Sequence, residues 1–344
     1  MAARDVFLVG SIPMRRTYEV FTVVAETLGD NVARVPDGEL GDRTMWVQAQ
    51  YPVLVDCPQL QVAEKFGGKL DRATSYQLRL AHRPSARAED VRFGELGYAR
   101  YAKASFAVFE AMQRAEAIPS SWRFQVALPS PFAVIGAMVV PDSRGVVEDA
   151  YERAMLEEVD KMVAAIPHEK LAISWDVATE MIMWEYPQSH YTTAHFDDMQ
   201  VGVLARLARI GERVPAGVQM GYHLCYGDQD HKHAKEPKDG AAMTELAMLL
   251  CQRVKRKVDF IHMPIPKWAD ARFFEPMAEL KVRPETRLYL GLVHFTDGFG
   301  GTKQRINWAS KVVSDFGLAT ECGFGRRPME TIKPLLELHA RCLN

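Results

Sequence analysis

The chain has 344 residues, of which 48% are hydrophobic and 25% charged, with a formal net charge of −2. That length allows one large α/β barrel or two average domains, and the near-neutral charge removes any electrostatic case for nucleic acid or an anionic membrane as partner. Five cysteines, an odd number scattered along a long chain, do not read as a disulfide framework.

The first residues, Met1-Ala2-Ala3-Arg4-Asp5-Val6, include no basic segment followed by a long apolar run, so no signal peptide is expected. No stretch approaches the roughly 20 apolar residues of a membrane span. The expected location is cytoplasmic, and a homodimer is the default assembly.

Strand and helix patterns then alternate. An apolar run over Val6–Val9 ends in Gly10-Ser11-Ile12-Pro13 and precedes a helical pattern at Tyr18–Leu28. The next strand, Val32–Val35, ends in Pro36-Asp37-Gly38-Glu39. The stretch from Tyr51 to Trp122 carries a helix at Tyr98–Ala115 and reads as an insertion. Phe124–Leu128 ends in Pro129-Ser130-Pro131 and leads to a helix at Val147–Ala165. Leu171–Trp175 ends in Asp176, with a helix at Val201–Ile210. Gly217–Tyr222 ends in His223-Leu224-Cys225, with a helix at Met243–Val254. Val258–Met263 ends in His262-Met263-Pro264, and Leu288–Val293 ends in His294. Phe316–Thr320 ends in Glu321-Cys322-Gly323 before a last helix at Thr331–Leu343. Eight short buried strands largely separated by helices predict a single-domain (β/α)8 TIM barrel over residues 1–344, with an insertion near 51–122.

Chemistry in such a barrel sits at the C-terminal ends of the strands, where the following loops converge. His223 and Cys225 are alternate residues at one strand end, so they face the same point. Cys322 could join them if the fold returns it there. Soft sulfur plus imidazole nitrogen is zinc chemistry, and three protein ligands with an open fourth position describe a catalytic site. The bland alternative is a buried histidine and two small core cysteines. Cys57, Cys251 and Cys342 read as structural.

The order Gly-Ser-Ile-Pro, Asp-Gly-Glu, a Pro-rich strand end, Trp-Asp, His-x-Cys and Cys-Gly resembles the C-terminal catalytic barrel of cobalamin-independent methionine synthase. More broadly it resembles the superfamily that barrel shares with uroporphyrinogen decarboxylase, which includes corrinoid-linked methyltransferases and epoxyalkane:coenzyme M transferase. The resemblance implies Zn²⁺ as cofactor, held by His223, Cys225 and Cys322. Where the family supplies a glutamate ligand, this chain has no carboxylate; His262 is the nearest replacement, and a three-ligand site completed by water is the alternative. The resemblance further implies that Ser11, Glu39 and Asp176 bind substrate, and Asp176 and His294 are the candidate catalytic groups. The implied activity is that of a zinc-dependent alkyl or methyl transferase, activating a small-molecule thiol as a zinc thiolate toward an alkyl or methyl donor. The alternatives are a lyase or decarboxylase of the uroporphyrinogen decarboxylase type, to which Arg15 and Arg16 would contribute, and an epoxyalkane:coenzyme M transferase-like enzyme.

Other features are weaker. Gly38-Glu-Leu-Gly41 and Gly298-Phe-Gly-Gly301 have no phosphate-loop or dinucleotide fingerprint and read as turns, the second as a mouth loop. Arg326 and Arg327 could bind an anionic group or pair with local carboxylates. The charged segment Asp228–Asp239, with His231 and His233, reads as a solvated loop near the pocket.

Overall fold

The computed structural model describes residues 5–65, 78–187, 193–228 and 232–343. Nine strands occur among them: β1 Arg34–Pro36, β2 Leu60–Lys65, β3 Leu78–His82, β4 Arg123–Pro129, β5 Leu171–Val177, β6 Gln219–Leu224, β7 Phe260–Pro264, β8 Arg287–Val293 and β9 Gly317–Thr320. Seven form one curled parallel sheet in the order β1-β4-β5-β6-β7-β8-β9. The remaining two, β2 and β3, form a separate antiparallel pair within the segment read as an insertion.

These strands are covered on both faces, so they read as nearly continuous apolar runs; every residue of β5 is buried. Helices follow most of them. Ser130 caps the helix Pro131–Met138 by accepting from the Ala133 N–H at 2.9 Å, and Pro131 supplies a fixed φ at its first position. Asp198 caps Met199–Arg213 through the Val201 N–H at 3.0 Å. A large apolar core lies between sheet and helices, and Phe7, Val9, Phe260, Tyr289 and Ala319 form a separate small buried cluster. No helix among the described residues is long and apolar enough to cross a membrane.

Two sequence expectations need correcting. The strand predicted over Val6–Val9 forms no ladder; Val6 makes single parallel bridges, one to Val32 and one to Leu318 of β9. The Gly298–Gly301 stretch is the first turn of a helix, Gly298–Ala309, rather than a loop. Asp297 precedes it and pairs with Arg305 at 2.6 Å, and a Cβ on Gly301 would fall 2.2 Å from the Asp297 carboxylate. A side chain at 301 would therefore have to displace the Asp297 carboxylate from its pairing with Arg305.

One rung of the sheet sets up the site. Asp176 of β5 pairs with His223 of β6, and His223 pairs with His262 of β7. Paired residues on adjacent strands project to the same face, so these three side chains stand in a row.

Candidate metal and substrate site

His223, Cys225 and Cys322 come together. Their ligand atoms lie within 4.8 Å of one another, the one such His/Cys/carboxylate cluster among the described residues. His223 is the penultimate residue of β6, with Cys225 just past its end, held by its N–H donating to the Val177 carbonyl at 3.1 Å. Cys322 arrives from β9, where the Thr320 hydroxyl donates to its carbonyl at 2.6 Å. The two Sγ atoms are 3.8 Å apart, and Cys322 Sγ is 3.7 Å from His223 Nε2.

Those separations fit zinc. With Zn–S of about 2.3 Å and Zn–N of about 2.0 Å, a tetrahedron has an S···S edge of about 3.8 Å and an S···N edge of about 3.5 Å. A hydrogen bond with Cys225, burial and nearby negative charge push the Cys322 thiol well above its ordinary range. A bound cation would reverse that preference by stabilising the thiolate.

His262 does not join the cluster. Its Nδ1 lies 2.6 Å from His223 Nδ1, and its Nε2 is 3.0 Å from the Thr320 carbonyl. Both ring nitrogens thus face partners within hydrogen-bond distance, and His262 stands behind His223 rather than among the three clustered ligand atoms. Burial drives its pKa down to about 3, and holds His223 well below the usual histidine value with help from His262.

The cluster lines a cleft together with Ser11, Glu39, Trp46 and Asp176. Ser11 is anchored by its bridge to Gly38 and by the Gly325 N–H donating to its Oγ at 3.1 Å. Gly38 adopts φ 87°, and a Cβ there would strike the Ile12 carbonyl at 2.8 Å. Glu39 follows at φ 51°, a left-handed conformation that costs a non-glycine residue energy and recurs at functional sites.

Glu39 and Asp176 repel one another. Burial raises Glu39 to about 7, with Arg43 opposing and Asp37 reinforcing the rise. Burial likewise raises Asp176 well above the carboxylate range, with Glu39 adding to it and the Trp46 N–H opposing. Trp46 Nε1 donates to Asp176 Oδ2 at 3.1 Å, while Oδ1 is buried with no partner. The unpaired Oδ1 marks a demand for a hydrogen-bond donor.

Sequence reasoning missed Trp46 and Arg43. Both come from the short helical segment Gly41–Gln50, where Trp46 also has a left-handed φ of 52°. Arg43 pairs with Asp37 at 2.9 Å, and its guanidinium carbon sits 4.7 Å from the Tyr101 ring centroid. A tryptophan amid polar residues just after Asp-Gly-Glu was the available signal. A second hollow of about 1010 Å³ shares Glu39, Arg43 and Trp46 with the cleft and extends to Tyr98 and Tyr101.

His294 does not line the cleft, contrary to its expected catalytic placement. It is buried, and its Nε2 is 2.8 Å from the Ile265 carbonyl, the contact of an N–H donor; its Nδ1 lies 3.6 Å from Glu321. His233 flanks the same glutamate at 3.5 Å, while His231 lies outside the described residues. Arg326 lines the cleft and reaches Asp228 at 3.5 Å. Cys57, Cys251 and Cys342 are free and buried, away from the cluster.

Fold and site together define an α/β protein with a His/Cys/Cys cluster that could hold a metal ion, at the C-terminal ends of a curled parallel sheet. Its fold resembles that of a B12-independent methionine synthase. The B12-independent methionine synthase of Shewanella sp. W3-18-1, solved with selenomethionine, superposes with a TM-score of 0.60 at 13% identity, covering 99% of this chain and 96% of the other. A methyltransferase from Methanosarcina mazei superposes with a TM-score of 0.50 at 14% identity, covering 99% and 94%. No protein-family model and no curated protein sequence matches the chain.

Proposed function

We propose that this protein is a zinc-dependent alkyl or methyl transferase that activates a small thiol for attack on an electrophilic carbon. The observation carrying this reading is the convergence of His223, Cys225 and Cys322 in the lining of one cleft, with the S···S separation and the Cys322 S···His223 N separation close to the edges of a zinc tetrahedron. Its architecture is read as a (β/α)8 barrel in which Val6–Val9, bridging Val32 and Leu318, acts as a degenerate eighth stave.

Bound zinc would supply a Lewis acid that lowers the pKa of a thiol from about 8.5 into the physiological range. Cys225 and Cys322, as thiolates, would keep an incoming substrate sulfur electron-rich, and His223 would complete a three-residue set with one position open. Ser11, Glu39 and Asp176 are assigned to the thiol substrate. Two facing carboxylates with an unpaired oxygen favour an ammonium or other hydrogen-bond donor over a plain anion. Trp46 orients Asp176 through its N–H. The adjoining hollow, walled by Trp46, Tyr98 and Tyr101, is assigned to the alkyl donor. Placing donor carbon and thiol sulfur in line is the protein's remaining task, and positioning of this kind contributes several kcal/mol.

The lyase alternative draws no support from Arg15 and Arg16, which are exposed and do not line the cleft. The test is to incubate zinc-loaded protein with small aminothiols and methyltetrahydrofolate, methylcobalamin or an epoxide, and to search for the S-alkylated product by mass spectrometry. Product formation that disappears in Cys225→Ser supports the reading. Release of carbon dioxide or an alkene from a substrate without thiol consumption would replace it with the lyase.

A further inference from the structure

The ring of His262 has neighbours that fix its protonation pattern. Nε2 faces the Thr320 carbonyl at 3.0 Å, and a carbonyl only accepts, so Nε2 carries the hydrogen. The ring is fully buried, with the Phe7 ring tilted against it at a centroid separation of 5.5 Å and no carboxylate in contact to support a second proton. Its Nδ1 is therefore bare. The 2.6 Å contact with His223 Nδ1 then requires His223 to donate, which leaves His223 Nε2 bare. That nitrogen is the one facing Cys322 Sγ.

We infer that His262 is a positioning residue that holds His223 as the tautomer able to ligate zinc, through a relay running Thr320 carbonyl, His262, His223. The relay also joins two strands that carry cysteine ligands. Thr320 lies two residues before Cys322 and donates its hydroxyl to the Cys322 carbonyl at 2.6 Å. His223 lies two residues before Cys225. One hydrogen-bonded chain thus sets both the tautomer of the histidine and the placement of a cysteine. Partners of this kind behind a metal-binding histidine typically change metal affinity about 10- to 100-fold.

The inference rests on the zinc reading of the cluster, and the experiment separates the two. Two-bond proton–nitrogen NMR of metal-free wild-type protein reads each tautomer directly. A hydrogen on His223 Nδ1 and on His262 Nε2 supports the relay; a hydrogen on His223 Nε2 overturns it, whatever metal the protein takes up. Zinc affinity by chelator competition is then compared in two variants. His262→Phe keeps a ring beside Phe7 but removes the acceptor, and is expected to lose about 10- to 100-fold in zinc affinity. His262→Asn, whose amide oxygen can take the Nδ1 position, is expected to recover most of it. Equal zinc affinity in wild type and His262→Phe would overturn the relay. Absence of zinc binding in wild type with the expected tautomers would retire the transferase reading and leave the relay standing.

Discussion

The Sγ atoms of Cys225 and Cys322 lie 3.8 Å apart although 97 positions separate them in the chain. Two thiols at that distance, too far for a disulfide and spaced as adjacent corners of a zinc tetrahedron, make the pair a chelate waiting on charge. Cobalt substitution should therefore give a tetrahedral spectrum with a thiolate charge-transfer band. That band should weaken in Cys225→Ser and in Cys322→Ser, and vanish when both are changed. An octahedral spectrum in wild type would place the metal elsewhere.

Removing the indole donor from the cleft tests the substrate side. Trp46→Phe keeps an aromatic wall but leaves Asp176 Oδ2 without its 3.1 Å partner. Catalytic efficiency should fall by about 1–3 kcal/mol in transition-state terms, with zinc content unchanged. Steady-state kinetics with matched metal analysis checks this; loss of zinc together with activity would mean that Trp46 supports the metal set instead.

The raised pKa of Glu39 has a signed consequence for stability. A carboxyl moved from 4.5 to about 7 binds more protons folded than unfolded. Its stabilising contribution is therefore complete below about pH 4.5 and is lost as pH rises through about 7. Metal-free wild type should lose on the order of 2 kcal/mol between pH 5 and 8 relative to Glu39→Gln, read from denaturant titrations at each pH. Parallel pH profiles for the two proteins would show that the Glu39 pKa is not raised on folding.

His294 separates packing from chemistry. His294→Gln should destabilise the fold by about 1–3 kcal/mol through its contact with the Ile265 carbonyl, while zinc content and substrate affinity stay near wild type. Loss of turnover at unchanged stability would restore it to the catalytic set.

Much of the sheet was legible because parallel strands covered on both faces carry apolar runs that helical periodicity interrupts. His223 and Cys225 were legible as a pair because alternation on one strand is a local property. The role of His262 was not, since it depends on the register pairing His223 with His262 and on Thr320 arriving from β9. The position of His294 directly after β8 was legible, but its contact with the Ile265 carbonyl was not, because that depends on how the segment after β7 packs against it. Val6–Val9 has the composition of a strand but keeps only isolated bridges, because pairing is decided by partners distant in sequence.

The central claim is that His223, Cys225 and Cys322 hold one zinc ion, and elemental analysis tests it most directly. Protein purified without chelators should contain about one zinc per chain, and the Cys225→Ser/Cys322→Ser double variant, folded by circular dichroism, should contain almost none. Native protein that neither carries nor takes up zinc, or a double variant that retains it in full, would contradict the account.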